Sequence, residues 1–144
     1  VIIGTQTALA FIFGGIIVGK VMATGVIAAA VFLSIVGREI VKDIEDVGGD
    51  RDRTTLPMRI GVRNAGIIAA VLIILAVLVS PLPYYPLHIF GWEYLVVVSL
   101  AYMLFIGSLP LIFKNAKLAR QILKFAMLVA IFAFITGALF SRLW

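Results

Sequence analysis

The chain has 144 residues, 63% of them hydrophobic and only 13% charged, with a mean hydropathy of +1.19 and a net charge of +5. A soluble domain carries about 25% charged residues to cover its core, so a water-soluble enzyme is excluded. The absence of cysteine and of a glycine period, with abundant Leu, Ile, Val and Phe, excludes disulfide scaffolds, collagen and disordered chains.

An integral membrane protein remains. Five apolar segments follow in order: Val1 to Gly19, Val21 to Val41, Ala65 to Ser80, Tyr94 to Phe113 and Ile122 to Phe140. Each is near the ~20 residues that cross a bilayer. Backbone groups in lipid must bond within their own segment, and the runs are apolar on every side rather than alternating. All five therefore read as helices, giving an all-α, multi-span transmembrane bundle in one membrane domain, residues 1–144. Gly15 and Gly19 form a G-x-x-x-G spacing that permits close helix packing. Pro81, Pro83 and Pro86 break the third connection. Tyr84, Tyr85, Trp92 and Tyr94 beside it suit an interfacial aromatic belt.

Alternating the spans places Arg38, Lys42, Arg51, Arg53, Arg59, Arg63, Lys114, Lys117, Arg120 and Lys124 on one face, against Lys20 and Arg142 on the other. By the positive-inside rule the 38–64 connection is cytoplasmic, the N-terminus is cytoplasmic and the C-terminus lies outside. In so apolar a chain the partners of the cations are lipid headgroups or a phosphorylated substrate, not nucleic acid. The first residue is Val, not Met, and the N-terminal segment has no basic region and no cleavage site, so it does not read as a signal peptide and suggests a chain that begins partway through a larger protein.

Six of the seven acids fall between Glu39 and Asp52. On a helix, Glu39, Asp43, Asp46 and Asp50 lie within about 60° of one another, with Arg38 and Lys42 beside them. Such a stripe cannot face lipid unpaired and needs water, a cavity or a cation. Hard divalent cations take oxygen ligands, and Mg²⁺ is typically held by one or two carboxylates with substrate phosphates and water. Asp43, Asp46 and Asp50 are the candidate metal ligands and catalytic residues. Arg38 and Lys42 are candidate diphosphate partners, and Glu39 and Glu45 are expected in ion pairs with neighbours. A solvated, mixed-charge loop is the plain alternative.

The stretch Arg38-Glu39-Ile40-Val41-Lys42-Asp43-Ile44-Glu45-Asp46-Val47-Gly48-Gly49-Asp50, followed by Thr55-Leu56-Pro57, resembles the second aspartate-rich region of the UbiA superfamily of intramembrane prenyltransferases. The wording is most similar to its archaeal ether-lipid branch. The resemblance implies Mg²⁺-dependent transfer of a geranylgeranyl group from its diphosphate to geranylgeranylglyceryl phosphate, in a cavity open to the cytoplasmic side of the cell membrane. It further implies that these are spans five to nine of a nine-span fold, and that an N-terminal half carrying a first aspartate motif is missing. The isolated segment is then expected to be inactive. Only Arg51, Asp52, Arg53 and Thr54 separate Asp50 from Thr55, fewer residues than the family usually has there. An aromatic, quinone-type acceptor is the alternative within the superfamily. A transporter or channel fragment with an acidic cation site is the alternative outside it.

Two other features each admit more than one role. Lys117, Arg120, Gln121 and Lys124 share one helical face, suited to lipid headgroups or to an acceptor phosphate. Gln6 sits within the first span, suited to an interhelical hydrogen bond or to a cavity. His88, the only histidine, lies in the outer loop.

Overall fold

A computed structural model describes residues 1–17, 19, 21–48, 54–85, 88 and 90–140. The described residues form six helices and no strand: α1 (Ile2–Ile17), α2 (Val21–Asp46), α3 (Leu56–Ile60), α4 (Val62–Val79), α5 (Trp92–Lys114) and α6 (Ala116–Phe140). Four of them, Thr24–Asp46 within α2 together with α4, α5 and α6, are long and apolar enough to cross a membrane. The first segment is the exception among the five expected spans. The sixteen residues of α1 reach about 24 Å, short of the ~30 Å hydrocarbon core.

Two helices outrun their apolar segments. α2 continues five residues past Val41 to Asp46, and α6 begins at Ala116 rather than near Ile122. Hydropathy marks where lipid is crossed, whereas helical hydrogen bonding continues into the charged turns beyond. The connection between α5 and α6 is thereby reduced to Asn115. Its backbone N–H donates to the Leu111 carbonyl at 2.7 Å, and its side-chain oxygen accepts from the Leu118 N–H at 3.1 Å. One residue thus closes α5 and caps α6.

Small residues set the packing, as expected where helices associate without a hydrophobic driving force. Ala65, Ala69, Ile73 and Ala76 form a fully or nearly fully buried seam on α4, and Ala119, Leu123, Ala126 and Ala133 form one on α6. α2 packs chiefly against α1 and α4, and α5 against α6. At Gly37 an added Cβ would stand 3.0 Å from Ile73 and 3.2 Å from the Ala69 carbonyl, so α2 and α4 approach closely there.

The G-x-x-x-G pair divides into two roles. Gly15 is buried against Thr24 of α2, and an added Cβ would run into the threonine hydroxyl. Gly19 makes the turn instead, with φ +67° and its N–H donating to the Ile16 carbonyl at 3.2 Å. Gly15→Val is therefore expected to weaken the α1–α2 hairpin by about 1–3 kcal/mol through overpacking. Unfolding in bicelles measures this; a variant as stable as the parent would mean that the two helices part there without cost.

The described residues of the connection between α4 and α5 are folded against the bundle. Leu82, Tyr84 and Tyr85 donate backbone bonds to Val79 and Pro81, and the Tyr94 hydroxyl donates to the Ser80 carbonyl at 2.6 Å. Phe90 packs on Tyr94, their rings 5.0 Å apart, and covers Gly137 of α6. The expected aromatic belt is thus split. Trp92 and Tyr85 are exposed, as a belt requires, while Tyr94 is completely buried and pins the loop to the bundle. Exposed His88 stands with its ring edge against Tyr85, at the end of the bundle away from the acidic stripe of α2.

Candidate functional site

The acidic stripe lies on the last two turns of α2. Glu39, Asp43 and Asp46 follow one another at i, i+4 and i+7, all half-buried. Val41, on the opposite side, and Ile40, on the flank, are buried in the main core. That burial fixes the rotation of the helix, so the stripe turns away from the packed interior. Asp50 lies outside the described residues, as do Arg51, Asp52 and Arg53.

The chain returns through a short helix that the apolar pattern did not mark. α3 opens with Thr55 in extended conformation and carries Pro57 in its first turn, where the missing N–H costs nothing. Leu56 and Ile60, one turn apart, pack against the same core as Ile44 of α2. Pro57 is fully buried, and Gly61, at φ +88°, turns the chain into α4. The interval expected as a connection, Arg38 to Asn64, is thus largely helical. The sequence signal for α3 was Thr-Leu-Pro followed by an apolar residue at i+4.

Among the described residues of the stripe and its neighbours, Glu39 and Glu45 are ion-paired, whereas Asp43 and Asp46 are not. Arg38 Nη1 meets Glu39 Oε1 at 3.3 Å, and Arg120 Nε of α6 meets Glu45 Oε2 at 2.9 Å. Among the described residues, Asp43 and Asp46 have no cation within ion-pair distance. Arg38 retains a buried Nε with no acceptor, the Thr55 hydroxyl is likewise buried without a partner, and Glu45 Oε2, although 2.9 Å from Arg120, receives no hydrogen bond of good geometry, so that contact is an ion pair only. Lys42 is exposed beside the stripe. On α6, Arg120 is drawn to Glu45, whereas Lys117, Gln121 and Lys124 stay exposed.

No three carboxylate or histidine side chains converge among the described residues. The donor set nonetheless fits a hard cation. Among the described residues, two half-buried carboxylates without an ion-pair partner stand beside Lys42 and an arginine with a spare donor, and Mg²⁺ commonly draws only one or two ligands from the protein.

An apolar cavity of about 110 Å³ opens inside the bundle among α1, α2, α4, α5 and α6. Thr7, Ala30, Val77, Tyr102, Ala130 and Phe134 are among its walls. Thr7 and Ser34 turn their hydroxyls onto their own helix backbones, and Ser80 is engaged by Tyr94, so little polarity reaches the space. Tyr102 lies near Ser80, but its hydroxyl makes no hydrogen bond of good geometry. Its wall residues Ala30 and Ser34 are thirteen and nine residues before Asp43, about 14–20 Å along the helix. Gln6 is exposed on α1 and does not line it, although its neighbour Thr7 does.

Fold and site together define an integral membrane protein of the all-helical, multi-span class, with an acidic and basic face at one end of the bundle. No protein-family model matches the chain. It is 40% identical over 141 residues to the digeranylgeranylglyceryl phosphate synthase of Methanosarcina mazei, covering 94% of this chain and 48% of that one. The synthase of Methanocaldococcus jannaschii is 39% identical over 145 residues, with 96% and 50% covered. A solved structure of a digeranylgeranylglyceryl phosphate synthase in membranes superposes with a TM-score of 0.88 at 40% identity, over 95% of this chain and 51% of that one. The chain is homologous, over nearly its whole length, to the C-terminal half of digeranylgeranylglyceryl phosphate synthases. It spans about half the length of the curated relatives it matches.

Proposed function

We propose that this chain is the C-terminal half of a Mg²⁺-dependent prenyltransferase that moves a geranylgeranyl group from geranylgeranyl diphosphate to geranylgeranylglyceryl phosphate. The observation that carries the reading is the TM-score of 0.88 at 40% identity to a synthase of that name, over 95% of the chain. In this reading an N-terminal half with its own aspartate motif completes the site. The acidic end faces the cytoplasm at the cell membrane, in line with the clustering of Lys and Arg at that end.

Asp43 and Asp46, with Asp50, would hold Mg²⁺, which when bound neutralises charge building on the diphosphate leaving group. Arg38 and Lys42 would bind diphosphate oxygens. The allylic C–O bond breaks and the diphosphate departs with the electron pair. The acceptor hydroxyl oxygen then bonds to the allylic carbon, forming the ether, and its proton is released to the diphosphate or to water. The apolar interior keeps water from capturing the carbocation first. The cavity 14–20 Å along α2 receives the far end of the prenyl chain.

The test is prenyl transfer in lipid by the complete enzyme, this chain joined to the N-terminal half of the Methanosarcina mazei relative. Both substrates are supplied, with Mg²⁺ or EDTA, and products are detected by mass. A digeranylgeranyl product seen only with Mg²⁺ is the expected result. Diphosphate release without that product would redirect the reading to another acceptor, such as an aromatic acid. Cation binding with no turnover of any prenyl diphosphate would overturn it in favour of an ion site.

A further inference from the structure

We propose that Arg120 is a positioning residue for the aspartate-bearing end of α2, acting through Glu45; the inference rests on the prenyltransferase reading. The last turn of α2 holds Asp43, Glu45 and Asp46 and no basic residue. Carboxylates at a helix C-terminus oppose the helix dipole, and like charges at i, i+3 and i, i+4 repel. Ile44 anchors this turn in the core, yet the repulsion among its carboxylates still favours fraying. The compensation comes from another helix. Arg120, on the second turn of α6, forms an ion pair with Glu45 at 2.9 Å, without hydrogen-bond alignment, and both side chains are less than one-third exposed.

The arrangement separates two tasks that the sequence mixes. Glu45 takes the cation from α6, and Asp43 and Asp46, on either side of it, keep their charge for a ligand. The far end of the strut is also fixed. Ala119 beside Arg120 is completely buried, and Asn115 caps the helix start one turn earlier. α6 thus serves as the fixed side of the strut and the end of α2 as the side it holds. Arg120 therefore leaves the exposed stripe of Lys117, Gln121 and Lys124 and acts on the acidic site without touching substrate.

The experiment is a double-mutant cycle in the complete enzyme, with Glu45→Gln, Arg120→Gln and both together, plus Arg120→Lys. Two readouts are taken: the Mg²⁺ concentration giving half-maximal rate, and metal-free hydrogen exchange of the 43–46 amides. Each single variant is expected to raise the Mg²⁺ requirement about 10-fold, as outer-shell losses around a metal do, with most of kcat restored at saturating Mg²⁺. The double variant should be no worse than the poorer single, because both break one interaction. Arg120→Lys should recover most of the loss, and exchange at 43–46 should quicken in Arg120→Gln. Additive losses, or a raised acceptor KM with an unmoved Mg²⁺ requirement, would overturn the proposal and make Arg120 a substrate contact. Unchanged exchange would overturn it as well. Should the parental enzyme transfer no prenyl group, the prenyltransferase reading fails, and the exchange measurement still decides whether the strut exists.

Discussion

Asp43→Asn in the complete enzyme is expected to lower kcat/KM for the allylic diphosphate by about a thousandfold, equivalent to about 4 kcal/mol of transition-state stabilisation. The amide keeps the carboxylate's shape and removes the charge that would hold the cation. Stability should move the other way. Asp43 sits one turn after Glu39 and in the C-terminal turn of α2, where a negative charge is unfavourable. The variant should therefore unfold in detergent no earlier than the parent. Opposite movements of activity and stability separate a functional carboxylate from a structural one. Asp46→Asn should behave in the same way. Turnover at the parental level in Asp43→Asn would remove that residue from the metal site.

Under the proposed prenyltransferase function, filling the interior cavity should change which donor is used. An engineered 150 Å³ cavity in another protein holds benzene, six carbons. By that scale the 110 Å³ here takes four or five, about one isoprene unit. Its place 14–20 Å along α2 from Asp43 suits the last unit of a long chain rather than the first. Val77→Phe or Ala130→Phe, each adding a ring to the wall, should cut kcat/KM for geranylgeranyl diphosphate by about 10- to 100-fold. The C15 farnesyl donor should be used nearly as before. The arithmetic is the loss of burial for part of one unit, at about 0.8 kcal/mol per carbon. The measured quantity is the ratio of the two specificity constants. Equal losses on both donors would show that the substitutions disturb packing generally, and that the chain end lies elsewhere.

Much of this protein was legible without coordinates because bilayer constraints are local. A segment in lipid satisfies its own backbone, so apolar runs alone located α2, α4, α5 and α6 and defined the class. The stripe Glu39, Asp43 and Asp46 followed from helical periodicity in the same way, and the wording around it pointed to the relatives found by comparison. The helix ends did not follow from hydropathy. The extension of α2 to Asp46 and the reduction of the α5–α6 connection to Asn115 depend on hydrogen bonds made beyond the apolar stretch.

Three features belong to tertiary structure alone. Which acids are neutralised is decided by distance between helices: Glu45 and Arg120 are seventy-five residues apart in sequence and 2.9 Å apart in space, and no spacing rule links them. The cavity exists because small and large side chains from five helices fail to fill one another's space, a property of no single segment. The fate of Tyr94, buried on Ser80 rather than set at the membrane interface, was settled by how the Pro-rich connection folds over the bundle end. Residue type and period determine which groups a helix can present. Only packing determines which of them are already engaged, and therefore which remain to bind a ligand.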